Sequence, residues 1–477
     1  MDRKWWTLAA VCTGVFMLLL DVTIVNVALP DIQKALGASL SDLQWVIDAY
    51  ALTLAALLLT AGSIADLRGR RLVFAVGIAI FTLGSLLCGI ASDATFLSLA
   101  RAGQGVGGAI MFSTSLALIA QAFQGRERGT AFGIFGAVTG VAVAIGPVLG
   151  GAITSGLSWR WIFFVNIPIG IGALAVTLTR VSESRDPNAK RPDWIGFLTF
   201  SAGLAALVFG LIRSNVDGWA STTVVGSLAG SVVLLGAFVA AELLQRAPMF
   251  DFRLLRVPTF DGGLAAAFAI SASLFSLLTY LVLYMQTLLG LSALQAGLRF
   301  LPLTLAIFLT AGIAGRLSAR VSTRLLIAPG FVLIGAGLLL MRGITVASDW
   351  THLLPGMIVA GIGAGLVNVP LASTAVGVVE PSRAGMASGI NSTFRQIGIA
   401  TGVAVLGAIF AAHLPDGAGG LATRAAAGGV VDGLNEILLV GSIIALAASV
   451  ATFALIHPRD FVIAPDADGL EAAPAAA

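Results

Sequence analysis

Fourteen long apolar segments constrain this chain of 477 residues more than any other feature. A helix needs about 20 mostly apolar residues to cross the hydrocarbon core of a bilayer. Such segments occur at 6–28, 43–65, 72–92, 95–118, 130–154, 160–180, 194–212, 221–243, 260–285, 294–315, 324–345, 352–376, 386–411 and 435–456. The sequence therefore predicts an all-α polytopic membrane protein with fourteen transmembrane helices.

The composition argues against a soluble protein. Hydrophobic residues make up 58% of the chain and charged residues only 11%, whereas soluble domains carry about 25% charged residues. So few charges cannot cover a soluble surface, but a lipid bilayer can solvate the apolar remainder. The net charge of +3 comes without any long basic run, so we expect no nucleic-acid partner.

The distribution of basic residues predicts the orientation of the chain. With the N-terminus in the cytoplasm, nineteen of the 27 Lys and Arg residues lie on that side and five on the other. The remaining three fall within predicted spans, and two of them, Arg299 and Arg395, are expected to snorkel from helix ends. An even number of spans then puts both termini in the cytoplasm. The high alanine and glycine content favours a bacterial cell (inner) membrane as the location of this multi-pass protein.

A weak internal repeat suggests how the helices are grouped. The turn Gly62–Arg71 aligns in register with Gly315–Arg324, although the second copy lacks the acid and the second glycine. If helices seven and eight are an insertion, helices nine to fourteen repeat one to six, as in transporters built from parallel repeats. The predicted units are a six-helix bundle (1–181), a cytoplasmic linker (182–193), two inserted helices with a loop (194–258), a second six-helix bundle (259–457) and a disordered tail (458–477).

Three ionisable residues at similar depth are candidates for proton coupling. Asp21 and Arg101 each lie about 10 Å, and Asp48 about 8 Å, inside the predicted ends of their helices. A charge at membrane depth is costly and is a functional hypothesis by default. The alternatives are a purely structural Asp21–Arg101 ion pair and an Asp48 that reaches the interface.

Several uncharged polar residues are candidates for the lining of a central cavity. Gln104 lies three residues after Arg101, on the same helix face, and could hold the guanidinium group. The other candidates are Asn26, Asn166, Gln286, Asn368 and Asn391. Hydrogen bonds between helices explain such residues equally well.

The fifth predicted helix carries an unusual group of helix-bending and small residues, Gly146, Pro147, Gly150 and Gly151. Proline removes a backbone donor and bends the helix, and glycine lets another backbone approach closely. We expect this helix at the seam between two moving bundles. Ordinary packing of small residues is the alternative.

The turn after the second helix contains Gly62, Asp66, Arg68, Gly69, Arg70 and Arg71. Its glycines permit a tight turn. Asp66 is expected to cap the next helix or to pair with an arginine of the other bundle, which would latch one conformation. The alternative is that the three arginines only fix the orientation of the chain.

Five ordered motifs resemble the major facilitator superfamily, specifically its fourteen-helix drug:proton antiporter branch. They are Leu20–Pro30, Gly62–Arg71, Leu99–Gly105, Gly146–Gly151 and Trp159–Gly170. The resemblance implies that the chain exports drugs and imports protons, and that Arg101 takes part in proton coupling.

The chain departs from the family pattern in three places. Leu67 replaces a basic residue, Ala142 replaces a glycine, and the tenth helix lacks the acid with which some relatives handle dicationic substrates. Dedicated export of dications is therefore not expected.

The resulting prediction is a proton-coupled exporter of lipophilic, possibly cationic drugs. Export of one endogenous metabolite or lipid remains the main alternative, ahead of solute uptake. An intramembrane enzyme is a remote one, because the three histidines form no metal motif and no lysine is buried for a nucleophilic site. We expect protons, lipid and small lipophilic molecules as partners, no metal or cofactor, and a monomer as the functional unit.

Overall fold

The computed structural model describes residues 2–123, 125–185, 193–245, 248, 250–318, 321–379, 384–414 and 424–461. All regular secondary structure in these ranges is helical. Fourteen helices here are long and apolar enough to cross a bilayer, if one bent helix counts as a single span. The predicted all-α membrane fold is confirmed.

The spanning helices follow one another with short connections. They are α1 (Arg3–Leu36), α2 (Leu40–Arg68), α3 (Arg70–Gly89), α4 (Ala94–Ala122), α5 (Gly125–Gly156), α6 (Trp161–Arg180), α7 (Trp194–Asp217), α8 (Thr222–Leu244), α9 (Pro258–Leu288), α10 (Ala293–Leu317), α11 (Arg324–Met341), α12 (Leu354–Gly377), α13 (Ala384–Ala411) and α14 (Arg424–Leu455). We call the side on which α1 begins the near side, and the side on which α1 ends the far side.

The first helix is longer than predicted. The segment 6–28 was expected to end before Pro30, but α1 continues through Pro30 to Leu36. It stops at Gly37, whose left-handed backbone (φ 62°) lets its N–H bond back to the carbonyl of Gln33. Asp21 therefore lies about 22 Å from the far end of α1, and the depth predicted from that end is wrong.

The fourth helix keeps its predicted start, because a side chain caps it. The Asp93 carboxylate accepts a hydrogen bond of 2.8 Å from the backbone N–H of Phe96. This bond holds the pKa of Asp93 below its usual value. The cap places Arg101 about 10 Å inside α4.

Two sets of helices form two cores. Side chains of α1–α6 build the cores of the first bundle, around residues such as Phe74, Phe81 and Phe163. Side chains of α9–α14 build a larger core that includes Tyr280 and Phe331. The inserted helices therefore belong to neither core.

The inserted helix α7 lies between α2 and α13, so it contacts both bundles. Leu204, Val208 and Ile212 of α7 form one apolar cluster with Ala51 of α2 and Ala404 of α13. Helix α8 packs on the other face of α7. The inserted pair covers one of the two seams between the bundles, and α5 and α10 form the other.

Helix α5 is bent by 41° between Ile134–Ala142 and Ile145–Gly156. Pro147 lies just after the bend, where it cannot donate a backbone hydrogen bond to the preceding turn. The predicted bend of this helix is present in the structure.

Several of the predicted regions lie partly outside the described residues, including the loop after the inserted helices (246–247 and 249) and residues 380–383 of the second bundle. The others are 186–192 of the linker, 462–477 of the tail, 415–423 of the connection between α13 and α14, and 319–320 of the repeated turn.

Candidate proton-coupling site and cavity

Asp21 of α1 and Arg101 of α4 form a buried ion pair. The distance from Nη1 of Arg101 to Oδ2 of Asp21 is 2.5 Å. Only 1% of Asp21 and 2% of Arg101 is exposed. The sequence predicted two groups at matched depth, and the packing of α1 against α4 brings them into contact.

Two amides complete the surroundings of the Asp21 carboxylate. Gln104 donates a hydrogen bond from Nε2 to Oδ1 of Asp21 at 2.9 Å, and Asn166 of α6 donates one from Nδ2 at 3.3 Å. Ser85 of α3 accepts from both amides and donates to the carbonyl oxygen of Phe163. Both carboxylate oxygens therefore accept hydrogen bonds, and the donors are side chains of α4 and α6.

The guanidinium group of Arg101 has further partners. It donates to Oε1 of Gln104 at 2.7 Å and to the carbonyl oxygen of Val46 at 3.2 Å. Its Cζ lies 4.2 Å from the centre of the Tyr50 ring, a cation–π distance. Gln104 and Asn166 thus lie in the ion-pair network, as interhelical bonds rather than as cavity lining.

Asp48 does not join this network. Val46 and Tyr50 face Arg101, and the helical period of 3.6 residues turns Asp48, midway between them, to the opposite face of α2. Asp48 is fully buried, and neither carboxyl oxygen has a hydrogen-bond partner in the described part of the chain. Similar depth was therefore not sufficient for contact.

The hydrogen bonds between the two bundles lie on the far side. Gln44, one turn before Asp48, donates from Nε2 to the hydroxyl of Tyr280 and to the carbonyl oxygen of Val403. Tyr280 in turn donates to Val403 at 2.6 Å. Gln286 donates to the carbonyl oxygen of Val27 at 2.6 Å, so this predicted cavity residue joins α9 to α1 instead.

The near side differs from the far side. Among the described residues, no hydrogen bond or ion pair joins the two bundles there, although apolar contact between α2 and α13 continues to Leu59 and Gly389. In this conformation the polar contacts between the bundles are concentrated at one end.

Helix α5 packs tightly against helices of both bundles. A Cβ atom on Gly146 would overlap the Thr23 hydroxyl of α1, and one on Gly150 would lie 2.7 Å from Cγ1 of Ile24. On the other side, a Cβ on Gly151 would lie 2.7 Å from Cα of Leu294 in α10. The bent helix thus lies at the seam, where its sequence predicted it.

A small cavity lies between the bundles, next to Arg101. Its lining residues are Val22, Val25, Asn26, Ile47, Tyr50, Ala51, Arg101, Gln396 and Ile399. The walls are mostly apolar. Asn26 lines the cavity as predicted, whereas Asn391 donates to the carbonyl oxygen of Gly263 in α9.

Sequence reasoning missed Arg395 of α13. The residue was expected to snorkel, but it lies eleven residues inside the helix, about 16 Å from its near end. Its Nη2 donates to Oδ1 of Asn368 in α12. Asn368, which was predicted to line the cavity, therefore binds an arginine. The signal was available, because a charge so far from a helix end cannot reach the interface.

The turn Gly62–Arg71 does not join the two bundles. Asp66 pairs with Arg70 at 2.8 Å within the turn. The N-terminus of α3 is capped by Glu183, whose carboxylate accepts from the N–H groups of Arg71 and Leu72. The expected contacts of Asp66 are therefore wrong for this conformation, because Arg70 is closer and Glu183 takes the capping position.

The other residues of the turn fit a tight connection. Gly69 has φ 113°, a backbone region that favours glycine. Gly62 packs near Ser113 of α4, and Arg68 is exposed without an ion pair in the described part of the chain.

Two six-helix bundles around a central cavity, with a buried ion pair at its wall, define a secondary transporter of the two-bundle class. The family model of the Major Facilitator Superfamily matches residues 11–403 of this chain. The chain belongs to that superfamily, and the family assignment made from its motifs is confirmed.

Close relatives of this chain are named as drug or antibiotic resistance proteins. The chain is 36% identical to the multidrug resistance protein Stp of Mycobacterium tuberculosis, over 86% of this chain and 76% of that protein. It is also 36% identical to the puromycin resistance protein pur8 of Streptomyces alboniger, over 96% of this chain and 92% of that protein. The similarity confirms the predicted class, a multidrug-type transporter.

A solved structure supports the fold independently. The crystal structure of a bacterial homologue of the human lysosomal transporter Spinster, inward-facing and occupied, matches with a TM-score of 0.67. The match covers 97% of this chain and 99% of that chain at 17% identity.

Proposed function

We propose that this protein exports lipophilic small molecules from a bacterial cell in exchange for protons. The observation that carries the proposal is the Asp21–Arg101 network, which is buried in one bundle and has Arg101 at the wall of the cavity. A carboxylate that a mobile arginine can hold or release is suited to couple a proton to a change of conformation.

The surroundings of Asp21 can serve two protonation states. In the ion pair, the carboxylate oxygens accept from Arg101, Gln104 and Asn166. A proton on Asp21 would remove the charge and add a donor. The buried Oδ1 of Asn166 has no partner among the described residues and could accept from it.

Arg101 would keep partners after Asp21 takes up a proton. The Gln104 amide oxygen, the Val46 carbonyl oxygen and the Tyr50 ring would still contact the guanidinium group. The cost of breaking the ion pair is therefore reduced, because the arginine is not left alone in an apolar site.

The distribution of basic residues supports a cytoplasmic near side, with both termini inside. The far-side bonds that Gln44 and Gln286 donate from one bundle to the other would then close the cavity to the exterior. In this state, substrate would enter from the cytoplasm. Rocking of the bundles about the α5–α10 seam would break these bonds and open the cavity outwards.

The walls of the cavity and the names of the relatives support a lipophilic substrate. Val22, Val25, Ile47 and Ala51 provide apolar contacts, and the relatives include resistance proteins. We further propose that the protein works as a monomer in the cell membrane, uses only the proton gradient and needs no cofactor.

Proteoliposomes with an imposed pH gradient test the coupling. The fluorescent dye ethidium and the antibiotic puromycin serve as substrates, with and without a protonophore. The wild type should transport at least one of them in response to the gradient. Asp21→Asn should remove proton-driven transport and keep substrate binding.

Asp217→Asn is the matched control, because Asp217 also pairs with an arginine, Arg213, but on the inserted helix α7. This control should transport like the wild type. Undiminished gradient-driven transport by Asp21→Asn would refute the role of Asp21. Transport of one endogenous metabolite but of no compound in a drug panel would favour the alternative, a dedicated metabolite exporter.

A further inference from the structure

The two arginines deep inside the described helices differ in how their charges are balanced. Arg101 has the carboxylate of Asp21 at 2.5 Å. Arg395 has no carboxylate within ion-pair distance in the described part of the chain, and its hydrogen-bond partner is the neutral amide of Asn368. The second bundle therefore holds one positive charge that its own side chains do not neutralise.

This charge is only partly enclosed by protein. Nε and Nη1 of Arg395 have no hydrogen-bond partner among the described residues, yet neither is a fully buried atom. Asn368 uses its own Nδ2 to donate to the carbonyl oxygen of Ala364. Its Oδ1 accepts from Arg395, so the amide positions the guanidinium group and leaves other donors available.

Arg395 is not itself part of the cavity lining, but it lies on the stretch of α13 that borders the cavity. Ile399, one helical turn after Arg395, lines the cavity, and so does the next residue in the chain, Gln396. Across the cavity, Asn26 of α1 also lines the wall. The amides of Asn26 and Gln396 have no hydrogen-bond partner within the described residues. The cavity thus offers apolar walls, two free amides and a nearby positive charge.

The remaining charges do not change this balance. The carboxylate of Asp21 already forms an ion pair with Arg101. Asp48 is fully buried on the other side of α2, next to the Gln44–Tyr280 contact. Neither acid offers its charge to a ligand in this conformation, so Arg395 is the charge closest to the cavity that has no carboxylate partner among the described residues.

We propose that Arg395 binds the acidic group of an organic anion, and that the substrates of this exporter include lipophilic carboxylic acids. The proposal rests on the function proposed above and names its substrate class. Arginine suits this task because its guanidinium group stays charged and presents several planar donors to a carboxylate. The aromatic or aliphatic body of the ligand would pack on the apolar walls near Val25 and Ile47.

Equilibrium binding to the purified full-length chain tests this proposal. Dansylglycine, a lipophilic acid, is compared with dansylglycinamide, its neutral amide, by dansyl fluorescence. The wild type should bind the acid at least about tenfold more tightly than the amide. Arg395→Gln should remove this preference by weakening the acid, and leave the affinity for the amide unchanged. Arg395→Lys should restore part of the preference.

Arg299→Gln is the control for the loss of one arginine. Arg299 lies on α10 near the far side, where its Nη1 donates to the carbonyl oxygen of Gln295, so its loss should not affect either probe. The proposal is overturned if the wild type shows no preference for the acid, or if the preference survives in Arg395→Gln. Equal weakening of both probes by Arg395→Gln would also overturn it, because the arginine would then only maintain the pocket.

The binding assay contains no pH gradient, so it is independent of transport. A preference for the acid that depends on Arg395, together with absent proton-driven transport, would refute the proposed export and leave the anion site standing. The reverse pattern would refute the anion site alone.

Discussion

The first bundle balances its buried charge internally, and the second does not. Arg101 is held by a carboxylate, an amide, a backbone carbonyl and an aromatic ring, whereas Arg395 is held by one amide. A charge that already has its partner can respond only when that partner changes, for example by taking up a proton. A charge without one is available to a ligand. The difference suggests that the two bundles divide the work of coupling and recognition.

Removing each arginine in turn is the most direct test of this difference between the bundles. Arg101→Gln should destabilise the protein by about 3–5 kcal/mol, because it leaves the Asp21 carboxylate buried without its counter-charge. Arg395→Gln should change stability by less than about 1 kcal/mol, since no carboxylate depends on it. Thermal unfolding of both variants in the same detergent measures the difference. Equal shifts would contradict the division between the bundles.

A division of work requires the bundles to move against each other, and Gly151 tests this requirement. Gly151→Ala should destabilise this conformation by about 1–3 kcal/mol, because the new methyl group has no room against α10. Transport should slow accordingly. Gly136→Ala is the control on the same helix, since no heavy atom lies within 4 Å of its Cβ position. The same transport rate for both variants would show that the α5–α10 contact does not limit the motion.

The far-side bonds also join the two bundles, and the hydroxyl of Tyr280 provides one of them. Tyr280→Phe removes the hydroxyl that accepts from Nε2 of Gln44 across the bundles at 3.3 Å. It also loses the 2.6 Å bond to Val403 within the second bundle, and should cost about 1 kcal/mol. Tyr284→Phe, which loses a longer bond of 3.3 Å to Ser348, should cost less. Labelling of a cysteine placed at Ala51 in the cavity should become faster from the far side only in Tyr280→Phe. Unchanged labelling would show that this bond does not close the cavity.

The smallest expected effect sharpens the comparison within the first bundle. Asp48→Asn should change stability by less than about 0.5 kcal/mol, because no donor holds its carboxyl group and the amide has nearly the same shape. Asp21→Asn should be far more damaging. Thermal unfolding again provides the measurement. A large loss of stability in Asp48→Asn would reveal a partner that the described residues do not contain.

Much of the fold could be predicted from the sequence, because apolar length reports directly on the thickness of a bilayer. Helix ends were harder. Pro30 and Asp31 suggested that α1 had already ended, but a proline is tolerated in a helix whose neighbours support it, and Gly37 provides the actual stop. Short π-helical turns in α9, such as Ser271–Phe275, depend on tertiary contacts and leave no clear pattern in the sequence.

The site was predictable in part for a similar reason. Depth along a helix can be counted only from its true end. The level of Arg101 was right because Asp93 caps α4 where predicted, whereas the level of Asp21 was counted from the wrong end of α1. The face of a helix on which a side chain lies relative to its neighbours depends on how the helices pack. Asp48 lies on the face of α2 away from Arg101, so it does not join the ion-pair network. Glu183 was missed because it lies in a connection that gains its position only when α6 ends beside α3.

The covered seam has a consequence for molecules dissolved in the bilayer. Helix α7 fills the groove between α2 and α13, while no helix among the described residues covers the groove between α5 and α10. A lipophilic compound that diffuses within a leaflet therefore meets an added helix at one seam, and only the direct contact of α5 with α10 at the other. Entry from the bilayer would require α5 and α10 to separate, and the two added helices restrict such an entry to that one flank.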